Sequence, residues 1–427
     1  MKKDKIHFNL ILAGAILILV GCQEMELVNV SKDVDAADTY YVDAVDATMI
    51  ASVIEFPASA VDPKGAVSGK NERFDPKLLG TKTVKEVFSA PGKDNKSVFH
   101  IINYEEGGFV IIAGDKRTTP ILAFSYDNYF PVSANTEYPG GLADWAIMQK
   151  DFVELIRETD TALGAGLNEF LIDPQSGLWN SCPIQRSITP LTSFSASCEP
   201  GGGCQDQYTQ VGPLMTTTWN QLCGFNQLMP EINCNPVSPC GRAFAGCVPV
   251  AMAQVMRYHT HPTGYNYLNM PNGVGNISNA TLLRDIYDAF PANQKSINCG
   301  GTGISNNADY AGIMVNNFGY SSAARTGFNH TIVKSELTNL RPVILSGGSY
   351  SGWWIFQQLT QGHMWVTDGY MSAVYCSGQS LLKLHMNWGW QNGDGNGFYN
   401  YGNFSVTIGG NTLSFNDDKR MIYNIKP

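Results

Sequence analysis

Apolar and polar residues change period several times along the chain, and the changes mark its elements. "SVFHIINY" (Ser97–Tyr104) alternates, "EEGG" breaks the run, "FVIIAGD" (Phe109–Asp115) is mostly apolar, and "DKRTTP" turns into "ILAFSY" (Ile121–Tyr126). Short apolar runs separated by turn signals predict a three-strand antiparallel meander. The period then lengthens. In "LADWAIMQKDFVELIRE", Leu142, Trp145, Met148, Phe152, Leu155 and Ile156 recur at helical intervals, predicting a helix packed on that sheet. Residues 47–172 therefore read as a small α+β domain. Beyond Asp173 the pattern dissolves into Ser, Thr, Pro and Gly, and residues 173–210 read as a linker. Residues 211–427 mix helical and strand periods with no internal repeat, as a second α+β domain.

Two patterns stand out in the second domain. In "GCVPVAMAQVMRYHTHP" (Gly246–Pro262), Val248, Ala251, Met252, Val255 and Met256 share one helical face, with Gln254 and Arg257 off it. Pro249 looks like a breaker, but first-turn N–H groups have no intrahelical partner, so proline costs little there. It sets the helix start at or just before Cys247. Further on, "GHMWVTDGY" (Gly362–Tyr370) and "LLKLHMNWGW" (Leu381–Trp390) read as the strands of one hairpin. Leu382, Leu384 and Met386 alternate with Lys383, His385 and Asn387, and a turn centred near Tyr375 sets His363 opposite Asn387.

Composition narrows the class. The chain has 427 residues, 44% hydrophobic and 15% charged, which fits a globular protein of two or three domains. The net charge of −9, with no basic block after Lys5, argues against nucleic-acid binding. Lys2, Lys3 and Lys5 precede an apolar run, Phe8–Val20, that is short for a membrane span. The following "LVGC" resembles a bacterial lipobox, in which the cysteine is acylated and becomes the first mature residue. Residues 1–22 are thus expected to be a lipoprotein signal with Cys22 as the lipid-attachment site, and residues 23–46 a tether; a plain secretory signal is the alternative. Export permits disulfides. Of the 10 cysteines, those other than Cys22 and Cys247 can pair completely, but the sequence does not choose the pairing.

Cys247 is the candidate for chemistry. At a helix start the dipole favours thiolate, and the backbone N–H groups there can hold an oxyanion. The competing readings are a buried thiol and a disulfide, with Cys240 as one partner. A thiolate needs a base. His7 lies in the signal, His100 in the first domain and His330 in a polar loop, while His259 and His261 close the cysteine helix about three turns away. His363 and His385 lie on strands. His363 is the better placed, because an Asn387 oxygen opposite it would fix the imidazole tautomer as the third member of a triad does, and Trp388 would shield that bond from water. Gln221, in "TTTWNQLCGFNQ", is a candidate second oxyanion donor. "NGDGNG" (Asn392–Gly397) partly matches a calcium loop, but the twelfth position is Asn403 where a bidentate Glu is required, so it reads as a glycine-rich turn. No cofactor and no metal are expected.

These residues add up to a resemblance. "GPLMTTTWNQLCGFN", "GCVPVAMAQVMRYHTHP", "RPVILSGG", "GHMWVTDGY" and "LHMNWGWQNGDGNGFY" follow, in order, the motifs of the streptopain family of bacterial papain-like cysteine peptidases. "FHIINYEEGGFVIIAGDKRTTPILAFSYDNYF" resembles that family's pro-domain. The resemblance implies a two-lobed papain-like fold, a nucleophile helix against an antiparallel sheet. It further implies a zymogen of a cysteine endopeptidase acting on proteins and peptides, with the first domain as intramolecular inhibitor and activation cleavage within residues 173–210. It carries over Cys247 as nucleophile, His363 as general base and then acid, Asn387 as its orienting group, Trp388 as shield, Gln221 in the oxyanion hole and Gly362 in the substrate cleft. The expected form is a monomer, anchored to a membrane by lipid or released outside the cell. Pro249 departs from the family's usual Ala, "CGFN" stands where "PYN" is usual, and cysteines are more numerous. A papain-fold transglutaminase or amidase, and a non-catalytic surface binding or peptidase-inhibitor protein, are the alternatives.

Overall fold

The structure is a computed structural model that describes residues 40–53, 55–57, 79–132, 138–159, 207–235, 238–347, 362–374, 380–401, 405–408, 411–414 and 419–427. Cys22, the signal, most of the expected tether (all but residues 40–46) and nearly all of the expected linker lie outside these residues.

The first module runs α1 (Ala44–Val53), β1 (Glu55–Pro57), β2 (Leu79–Thr81), β3 (Val84–Pro91), β4 (Ser97–Tyr104), β5 (Phe109–Ala113), β6 (Ile121–Ser125) and α2 (Gly140–Thr159). The meander read from the sequence is β4–β6, and β3 adds a fourth strand beside β4. Residues ahead of Ala47 already join this module: Tyr41 bridges Asp115, and Val42 N–H donates to the Gly114 carbonyl at 3.1 Å. Helix α2 presents Leu142, Trp145, Phe152 and Ile156 to the core, all fully buried or nearly so. Each such side chain contributes roughly 1.5–3 kcal/mol by leaving water.

The second module begins with β7 (Gln207–Val211) and continues through α3 (Cys247–His259), α4 (Ile277–Ala289), β8 (Lys295–Asn298), β9 (Gly301–Ile304), α5 (Tyr310–Phe318), β10 (Ser322–Gly327), α6 (His330–Thr338), β11 (Val343–Gly347), β12 (His363–Val374), β13 (Ser380–Asn387), β14 (Gly397–Asn400), β15 (Ser405–Ile408), β16 (Asn411–Ser414) and β17 (Arg420–Lys426). Among the described residues, both modules share one 11-stranded sheet in the order β10-β17-β11-β12-β13-β14-β6-β5-β4-β3, with β7 paired to β12. The modules meet where β14 pairs antiparallel with β6, Phe398 opposite Phe124 and Tyr399 opposite Ala123.

Two hydrophobic cores divide the second module into the two lobes expected. One surrounds α3 and holds Met252, Val255, Leu283, Ile286, Met314 and Ile344. The other runs along the sheet and joins Trp365, Trp388 and Tyr399 to Phe99, Phe124 and Trp145 of the first module. The site lies where these cores adjoin, at the start of α3 and the start of β12.

Candidate active site

Helix α3 begins at Cys247, as the position of Pro249 predicts. The preceding Gly246 has φ +93°, where a side chain is strained, and a Cβ there would also lie a tight 3.2 Å from both Pro249 Cδ and Thr302 Cγ2. No side chain caps the helix, which leaves its first N–H groups facing the site. The question of Cys240 is settled: it is bonded to Cys223, and Cys234 is bonded to Cys299. Cys247 is half-buried and is the free cysteine among the described residues. Cys182, Cys198, Cys204 and Cys376 lie outside them.

His363 opens β12, and its imidazole stands close enough to the Cys247 thiol for each to shift the other's pKa. Its Nε2 lies 3.1 Å from the Trp388 carbonyl oxygen. A carbonyl only accepts, so Nε2 carries a proton, and Nδ1 is the nitrogen available to the thiol. The ring also lies nearly parallel to that of Trp365, with centroids 6.2 Å apart. The Trp388 carbonyl thus does what the sequence assigned to the Asn387 side chain. The hairpin exists, but Asn387 pairs with Val366, and His363 lies past the end of β13, opposite Gly347 of β11. The turn is not centred near Tyr375, and a bulge between Thr367 and Gly369 shifts the register again.

The Cys247–His363 pair favours charge separation. Burial alone would push the Cys247 thiol up. The charge of His363, its hydrogen bond, and the backbone N–H groups of Met364 and Val248 outweigh burial and bring the thiol down. Burial likewise opposes the imidazolium, but Cys247 and the Trp388 carbonyl raise the His363 pKa. Both shifts run in the direction of thiolate beside imidazolium.

Gln221 reaches this site through its backbone: its carbonyl accepts the Ala245 N–H at 3.0 Å, just before the nucleophile. The Cys223–Cys240 disulfide staples the same two segments together. Trp388 is fully buried, donating Nε1–H to the Gly395 carbonyl at 3.0 Å. Gly362 is exposed just ahead of β12.

Two polar groups near the site escaped the sequence reading. Gln254, expected off the buried face of α3, is fully buried and bonds Asn387. His385 Nδ1 lies 2.6 Å from Asp368 Oδ1, and Asp368 Oδ2 accepts the Met215 N–H at 2.8 Å, bracing the segment that leads to Gln221. The available signal was spacing: Lys383, His385 and Asn387 alternate along a strand whose residues after Ser380 are all buried, so each needs a partner.

The first module abuts the base. At the start of α2, a Cβ on Gly141 would lie 2.5 Å from Trp365 Cε3 and 2.8 Å from Trp388 Cζ3. Tyr138 packs on Trp390, with centroids 5.4 Å apart. Farther along the seam, Trp145 Nε1–H donates to the Asn400 carbonyl at 2.8 Å, and Asp144 lies 3.7 Å from Lys419 Nζ with both side chains buried.

A thiol at a helix N-terminus facing an imidazole on an antiparallel sheet defines a papain-like cysteine peptidase, here with a second module packed behind its base. The Peptidase C10 family profile matches residues 219–281 and 264–399, and the Spi protease inhibitor profile matches residues 77–149, so the chain carries a Peptidase C10 domain and a Spi inhibitor-like pro-domain. It is a cysteine peptidase with a zymogen-type pro-domain. It is similar to streptopain of Streptococcus pyogenes, 25% identical over 422 residues covering 86% of this chain and 88% of that protein. Thiol protease/hemagglutinin PrtT of Porphyromonas gingivalis is 24% identical over 389 residues, which cover 80% of this chain but 38% of PrtT, so the chain spans well under half of that relative. The solved structure of Prevotella intermedia prointerpain A shares the fold at 21% identity and a TM-score of 0.50, covering 81% of this chain and 99% of that one.

Proposed function

We propose that the protein is an exported cysteine endopeptidase made as a zymogen, in which Cys247 and His363 cleave peptide bonds of protein substrates. The observation that carries this reading is the half-buried thiol held against an imidazole whose other nitrogen is fixed by a carbonyl. The Cys247 thiolate attacks the scissile carbonyl carbon, and the oxyanion is held by the Cys247 N–H and the Gln221 side chain. His363 gives its Nδ1 proton to the leaving amine, leaving a thioester. Water then attacks the thioester carbonyl, His363 takes its proton, and collapse releases the acid and restores the thiolate. Asn387 acts one bond behind His363, and the third group is the Trp388 carbonyl.

The first module is the inhibitor of this site, held by the shared sheet and by α2 against Trp365 and Trp388, and cleavage within residues 173–210 releases it. The lipobox supports lipid attachment at Cys22, and the two disulfides support export to an oxidising compartment. Anchored at a membrane or freed outside the cell, the enzyme acts as a monomer. The test compares the processed chain with a Cys247→Ala chain cut at the same bond. Casein hydrolysis should vanish in the variant, and a variant that still cleaves casein would rule out the assignment. Cys22→Ser should move the protein from the membrane fraction to the soluble exported fraction.

A further inference from the structure

Gln254 lies on the nucleophile helix, about two turns beyond Cys247, roughly 10 Å along the axis. Its side chain is fully buried and has two partners. Oε1 accepts from Asn387 Nδ2 at 3.1 Å and from the Trp219 N–H at 3.3 Å, while Nε2 donates to Asn387 Oδ1 at 3.3 Å. Asn387 is held in turn: Nδ2 also donates to the Thr217 carbonyl at 2.7 Å, and Oδ1 also accepts the Gly389 N–H at 3.2 Å. That N–H belongs to the same planar peptide as the Trp388 carbonyl, which accepts from His363 Nε2. The Trp388 N–H, on the preceding peptide, is held by Asn396 Oδ1 at 3.0 Å. A side chain of the nucleophile helix therefore reaches, through one amide, the peptide that aims the base. Through Trp219 it also reaches the segment carrying Gln221.

We propose that Gln254 is a positioning residue for the reaction: through Asn387 it holds the Trp388–Gly389 peptide, and so the carbonyl that aims His363 at Cys247. Cα-level packing alone does not require an amide at this position, since an apolar side chain of similar length fills the same space. An amide is required because Asn387 offers a donor and an acceptor together, and Gln matches both. Donation from the Gly389 N–H also polarises the peptide, making the Trp388 oxygen a better acceptor for the His363 proton. Cys247 and His363 are each other's ionisable neighbours, and Tyr310 is the further group that senses the Cys247 charge.

This inference rests on the peptidase reading, and its test separates the two. The processed forms of the wild-type, Gln254→Met and Gln254→Glu full chains are compared in two ways. The first is kcat and KM on a peptide substrate across pH. The second is the rate of Cys247 alkylation by iodoacetamide across pH, located by mass spectrometry, which needs no peptidase activity. In Gln254→Met, kcat should fall about 10- to 100-fold with KM changed by less than about 3-fold. The alkaline limb of the profile should move to lower pH, and the alkylation midpoint to higher pH, by about half a unit or more. Gln254→Glu, whose neutral carboxyl offers a donor and an acceptor, should approach wild type on the acid side and lose activity as it ionises. Should Gln254→Met fail to fold, Gln254→Glu carries the same measurements. Alkylation curves and pH limbs that superimpose on wild type, with only a lower Tm, would overturn the proposal. A wild type that shows the alkylation curve but cleaves no peptide would instead defeat the peptidase reading.

Discussion

Lys383 is the most exacting test of how the pro-domain is held. It is buried on β13 and has no carboxylate partner among the described residues: Nζ donates to the Ile121 carbonyl of the first module at 2.7 Å and to Asn400 Oδ1. Asn400 bonds the first module in its turn, donating Nδ2–H to Thr119 Oγ1 at 2.7 Å. Burial depresses the Lys383 pKa to about 7, against about 10.4 in the unfolded chain. A depressed lysine favours its neutral form when folded, so the folded state is weakened as pH falls from about 10 to about 7, and the effect levels off below that. Linkage gives a loss of roughly 2 kcal/mol between about pH 9 and about pH 7. The assay is urea unfolding of the full chain carrying Cys247→Ala, which removes the titrating thiol and leaves His363 common to both proteins, with and without Lys383→Met. Met fills a similar volume, and the bonds it loses cost the same at both pH values. The parent should gain about 2 kcal/mol more than the Met variant between pH 7 and 9. Lys419, whose pKa burial also lowers, is common to both chains and cancels. Equal pH slopes in the two proteins would refute a neutral, buried Lys383 at the seam.

Other outcomes follow from the same geometry. Gly141→Val should push α2 off Trp365 and Trp388, so that Cys247 in the uncleaved chain reacts faster with a thiol reagent; an unchanged rate would mean that this contact does not restrict access. Replacing Cys223 and Cys240 by serine opens a bridge with a sequence separation of 17 and should cost about 3 kcal/mol of stability by urea unfolding. The same pair of changes should lower kcat/KM by loosening Gln221, and full activity would detach that staple from the oxyanion site. The processed enzyme should show a bell-shaped kcat/KM profile, because Cys247 is depressed and His363 raised. Activity falls on the acid side as thiolate is protonated and on the alkaline side as imidazolium loses its proton, whereas a single ascending limb would speak for a neutral thiol–imidazole pair.

Local patterns were legible in the sequence because each rests on a few neighbouring residues. The strands β4–β6, the helix α2 and the start of α3 at Cys247 all follow from period and from Pro249. The hairpin of β12 and β13 was legible too, but its register was not. Register depends on the turn and on the bulge after Thr367, and a shift of three residues moved Asn387 away from His363. Gln254 was misplaced because a polar residue in a helix usually marks the wet face, and only a partner distant in sequence, Asn387, makes its burial tolerable. Lys383 shows the same limit more sharply. Its neighbours alternate as on a half-exposed strand, yet the first module covers that face. The pairing of β14 with β6 joins segments far apart in the chain, and no local pattern encodes it.

The central claim is that Cys247 is the thiol that cleaves peptide bonds once the pro-domain has left. Its most direct test is stoichiometric labelling of the processed enzyme with an irreversible thiol epoxide, with casein hydrolysis followed in the same samples. The account predicts one adduct per molecule, mapped to Cys247, and activity lost in proportion to labelling. Casein hydrolysis that persists when Cys247 is fully labelled would contradict it.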